Sequence, residues 1–107
     1  MNTAWVDLSG HVILIVEDQP VLALNLQITL EEAGADTVVA RGPQEASARL
    51  EQFAFSAAIV GPGQRMLVRE LEARGVPVVV KPASQTELLP RLMARSGSRR
   101  REGSRRQ

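Results

Sequence analysis

Apolar residues gather in four short runs, HVILIV (11 to 16), DTVVA (36 to 40), FSAAIV (55 to 60) and VPVVV (76 to 80). Each is too short for a buried helix and most are rich in β-branched residues, which predicts strands. Between them the apolar positions recur at helical spacing. The first intervening stretch starts at Pro20, with Asp18 as a candidate cap, and stops at Gly34. The second spans 42 to 52, with Ala46, Ala48 or Arg49, and Leu50 mixing small and apolar positions. The third spans 64 to 74, placing Met66, Leu67, Leu71 and Val68 on one face and ending at Gly75. A last helix is expected from Ser84 through Leu88, Leu89 and Leu92 to about Arg95.

The resulting order, β-α-β-α-β-α-β-α, calls for an α/β fold: a doubly wound parallel sheet of about four strands with helices on both faces and right-handed crossovers. Ligands in such sheets sit beyond the C-terminal strand ends. Here those ends are Glu17-Asp18, Gly61-Pro62 and Lys81-Pro82.

Length and composition fit this picture. The chain has 107 residues, enough for one domain, with 44% hydrophobic and 23% charged residues. It divides into an N-terminal extension (1 to 9), a folded domain (10 to 94) and a Gly/Ser/Arg-rich tail (95 to 107) expected to be disordered. Six arginines and one glutamate make the tail basic, whereas the domain before it is acidic. Without aromatic residues the tail is a poor specific nucleic-acid binder, and salt-sensitive nucleic-acid binding through it is a weaker alternative function. There is no cysteine, which excludes thiol catalysis, disulfides and zinc knuckles together. No secretory pattern and no membrane-length apolar run is present, so a cytoplasmic protein is expected.

The segment VILIVEDQPVLALNLQITLEEAGA, followed downstream by Lys81-Pro82, resembles the receiver domain of two-component response regulators, and the similarity covers roughly residues 10 to 94. The resemblance implies a flavodoxin-like fold, an acid pair that helps to hold magnesium, matched by Glu17 and Asp18, and a lysine that contacts a phosphoryl group, matched by Lys81. It also implies a phosphate-accepting aspartate at the end of the third strand, where this chain has Gly61. Glycine supplies neither a nucleophile nor a metal ligand. A further strand and helix of the family, with its Ser/Thr switch, is missing, because Arg74-Gly75-Val76-Pro77 runs directly towards Lys81. The resemblance therefore implies a degenerate, truncated receiver. It would not be an enzyme and would need no cofactor, beyond weak magnesium binding. It would bind a histidine kinase, a phosphotransfer protein, another response regulator or a second copy of itself.

Each feature also has a plainer reading. Glu17 and Asp18 serve either as a residual cation site or as a helix cap and partner for Lys81; acids beside a helix N-terminus are favoured in any case. Lys81 either clamps phosphate or forms a standing ion pair. Gly61-Pro62-Gly63 lacks the lysine, hydroxyl and spacing of a nucleotide loop and reads as a turn. The first helix holds more apolar residues than one core stripe needs: Leu22, Leu26 and Leu30 suit the core, and Val21, Leu24 and Ile28 fall on an adjoining face. They form either part of a broad buried arc or a partner surface. In the latter case Val78 and Val80, on a strand expected to be a sheet edge partly guarded by Pro77, extend that surface. A different class of function, self-phosphorylation on Asp18 with magnesium, stays open on sequence alone.

Overall fold

The computed structural model describes residues 7–81, and the expected last helix from Ser84, Pro82 and the Arg-rich tail lie outside them. The apolar runs form four strands, β1 (Val12–Val16), β2 (Asp36–Ala40), β3 (Ala57–Val60) and β4 (Val78–Val80). Three helices alternate with them: α1 (Pro20–Glu32), α2 (Pro43–Gln52) and α3 (Arg65–Ala73). All pairings are parallel and the strand order is β2-β1-β3-β4. This is the flavodoxin-like, doubly wound α/β arrangement that the alternation predicts.

The order follows from the crossovers. The chain moves from β1 to β2 in one direction, then reverses past β1 to β3 and continues to β4. With right-handed connections, reversal puts α1 on one face and α2 and α3 on the other. Two apolar clusters result. One joins Leu26 and Leu30 of α1 to Ile13, Ile15, Ile59 and Val79. The other joins Ala46 of α2 and Leu67 and Leu71 of α3 to Leu14, Val16, Ala58 and Val60. Successive strand residues alternate between these clusters, so β1 and β3 are apolar at every position.

Several expected positions are corrected by the packing. The residues before β3 and β4, Phe55-Ser56 and Val76-Pro77, lie outside the strands, and Phe55 and Val76 are buried as loop anchors. Leu22 is exposed, whereas Ala23 is buried: the small side chain lets α1 lie close to the sheet, centring the inner stripe on Ala23, Leu26 and Leu30. Ala48 is also exposed, and Met66 is 83% exposed on the outward side of α3, whose first turn reaches the core through Leu67. Leu8, expected in a separate extension, is completely buried in the α1-side cluster, and its N–H donates to the Ala33 carbonyl at 2.7 Å. Burial of one leucine contributes roughly 2 kcal/mol. Residues 7 to 9 therefore belong to the folded domain.

Candidate functional site

The strand order reverses between β1 and β3, and their C-terminal ends open the crevice where ligands bind in this architecture. Val16 pairs with Val60, and Val60 with Val80. The next residues, Glu17, Gly61 and Lys81, therefore stand side by side on three adjacent strands. Lys81 is tied to this row by its own N–H, which donates to the Val60 carbonyl at 2.9 Å, and Glu17 by its N–H to the Ala40 carbonyl at 2.9 Å.

Glu17 and Lys81 reach across Gly61 and join: the Lys81 Nζ donates to Glu17 Oε1. Both side chains are largely withdrawn from water, with 9% and 17% of their surface exposed. The other oxygen of the same carboxylate, Oε2, accepts the Gln19 backbone N–H at 3.0 Å, just ahead of α1. Burial pushes the Lys81 ammonium below the usual lysine pKa.

Asp18 behaves differently. It is exposed, joins no hydrogen bond or ion pair among the described residues, and does not cap α1, whose N-cap is Gln19 without a side-chain cap. The expected division of labour is thus reassigned. Glu17, rather than Asp18, secures the start of the helix and holds the lysine.

A magnesium ion does not fit this set. It requires several oxygens at octahedral geometry. Glu17 has both oxygens engaged, Asp18 points to solvent and Gly61 has no side chain; among the described residues no cluster of three or more His, Cys, Asp or Glu exists.

Gly61 itself is not constrained to be glycine. Its φ lies outside the left-handed region, and a Cβ built on it would meet nothing within 4 Å. Gly63, two residues on, has φ +84° and makes the turn.

The five expected partner-surface residues separate. Val21 (69% exposed), Leu24 (53%) and Ile28 (47%) form a stripe on α1 opposite its buried one, so the broad buried arc is not what this helix makes. Val80 is exposed beside α3, but Val78 is buried in the α3-side cluster, so its side chain offers nothing to a partner. The guard role of Pro77 also needs correction. The Pro77 carbonyl accepts from Ala58 N–H and the Lys81 N–H donates to Val60, so residues 77, 79 and 81 turn their backbone groups towards β3. The N–H that proline lacks would have faced inward. The outer edge, formed by Val78 and Val80, is left unblunted.

Beside that edge lies a feature that apolar patterning did not single out, a groove of about 470 Å³ between α3 and the end of β4. Its signal in the sequence was the pair Arg65 and Arg69, one helical turn apart. Among the described residues no helix is long and apolar enough to cross a membrane. No protein family matches this chain, and no curated protein matches it.

Proposed function

We propose that this chain is a receiver-like interaction module of a phosphorelay that works without accepting phosphate, acting in the cytoplasm. The observation that carries this reading is the direct union of Lys81 with Glu17 over Gly61. Acyl-phosphate chemistry needs a carboxylate nucleophile with a cation and a lysine available to the phosphoryl oxygens. Here the nucleophile is absent and the lysine is already engaged. The module would bind a histidine kinase, a phosphotransfer protein, another response regulator or a second copy, and so compete for partners without carrying phosphate. The exposed α1 stripe of Val21, Leu24 and Ile28 supports a binding role, because three apolar side chains share one outward face.

The test is incubation of the full chain with acetyl phosphate and magnesium, followed by intact mass under neutral conditions. An unchanged mass is expected; a stoichiometric acid-labile phosphate adduct would remove the reading.

One observation favours a second reading. Asp18 is exposed beside the same strand ends and unpaired among the described residues, so it is the carboxylate open to a phosphodonor. Under that reading the adduct forms and disappears in Asp18→Asn.

A further inference from the structure

We propose that the outer edge of β4, with the flank of α3 beside it, takes an extended acidic segment of a partner protein as a fifth strand. This deepens the interaction-module reading and rests on it. The backbone N–H and C=O groups of Val78 and Val80 point away from β3, and no described strand pairs with them. Such an edge is a template for strand addition, which supplies affinity through main-chain hydrogen bonds and specificity through alternate side chains. Pro77, whose missing N–H faces inward, does not obstruct it.

The groove above this edge sets the chemistry of the occupant. Its walls include Pro62, Arg65, Val68, Arg69 and Glu72, with Val80 at the β4 end. Arg65, Val68, Arg69 and Glu72 fall at i, i+3, i+4 and i+7 and form one stripe along α3. Both arginines are exposed, and among the described residues neither takes part in an ion pair or side-chain hydrogen bond. Four residues of helix rise about 6 Å. Two residues of strand advance about 6.7 Å. Carboxylates at alternate positions of an added strand therefore match the Arg65 and Arg69 spacing, with their methylene stems lying beside Val68 and Val80, while the intervening residues face the other side of the sheet. Glu72, next on the stripe, disfavours a third acid in the same row.

The same charges argue against a second copy as the occupant. Antiparallel pairing of two β4 edges would place both α3 helices on the same sheet face with their stripes opposed, four guanidinium groups against only two Glu72 carboxylates. An acidic partner meets no such repulsion.

The test uses the isotope-labelled full chain and a capped pentapeptide, valine-glutamate-valine-glutamate-valine, beside its lysine counterpart. With the glutamate peptide the Val78 and Val80 amides shift and exchange more slowly, and with the lysine peptide they do not. The double variant Arg65→Glu/Arg69→Glu, altered at two exposed positions, weakens the glutamate peptide by about tenfold, the scale of two surface ion pairs, and gains the lysine peptide. An unresponsive edge at millimolar peptide overturns the proposal, as does equal binding of both peptides. Shifts at Val78 and Val80 that grow with protein concentration alone overturn it in favour of a second copy. A silent edge without a phosphate adduct removes this surface and leaves the module reading standing; an adduct removes the non-accepting reading whatever the edge does.

Discussion

The Lys81 ammonium sits on the Glu17 carboxylate, with the whole of β3 between the strands that carry them. Glu17 simultaneously holds the Gln19 N–H, so one side chain couples the end of β4 to the start of α1. Because both partners are largely buried, removal of one leaves a charge with little water to replace its partner. Lys81→Met is expected to cost roughly 2 kcal/mol, above a surface pair and below a fully buried one. Glu17→Gln should cost a similar amount. A double-mutant cycle by urea denaturation checks this: the double variant should be clearly less destabilised than the sum of the singles, and simple additivity would show that the two groups do not interact.

Gly61 offers a gain-of-chemistry experiment. Since a Cβ there meets open space and the backbone is not in the left-handed region, Gly61→Asp should fold with stability within about 1 kcal/mol of the native chain. The new carboxylate would stand between Glu17 and Lys81, adding the oxygen ligands and the nucleophile that the native row lacks. Magnesium should raise the melting temperature of Gly61→Asp while leaving that of the native chain nearly unchanged. A large magnesium-dependent rise in the native chain would mean that Glu17 and Asp18 form a cation site without the third carboxylate.

The lowered Lys81 pKa fixes the sign of an alkaline effect. Where the folded lysine releases its proton at lower pH than the unfolded one, the unfolded state binds more protons between the two values. Stability contributed by this group therefore rises with pH across that alkaline window and is flat below it. Lys81→Met should remove the rise. Denaturation midpoints of both proteins from neutral to alkaline pH provide the measurement, and parallel curves would contradict the assignment.

How far the sequence reveals this molecule depends on which force decides each position. Strands β1 and β3 are apolar at every residue, and periodicity alone locates them and the sheet. The acid and lysine at strand ends are equally legible, since the topology must bring residues 17, 61 and 81 together. Periodicity cannot foresee Leu22 outside and Ala23 inside, because close approach of α1 to the sheet rewards the smaller side chain. Nor does it reveal the direction of backbone groups at Pro77, which depends on the register between β3 and β4. The choice of Glu17 over Asp18 likewise turns on which side chain faces the crevice, set by the residue directly after the strand.

Gly34 packs against the N-terminal turn that carries Leu8. It adopts φ +102°, and a Cβ added there would lie 2.7 Å from Ser9 Oγ and 3.1 Å from the Ser9 backbone nitrogen. The hydroxyl could rotate away, but the backbone cannot retreat freely, because Leu8 is buried and its N–H is held by Ala33. Gly34→Ala should therefore combine left-handed strain with displacement of the turn carrying Leu8, a loss of about 2 kcal/mol or more. Adding Ser9→Gly removes the hydroxyl contact and should restore only part of that loss, since the contact with the Ser9 nitrogen persists. Chemical denaturation of the two variants measures both steps; a Gly34→Ala chain as stable as the native one would mean that residues 7 to 9 are not docked on the end of α1.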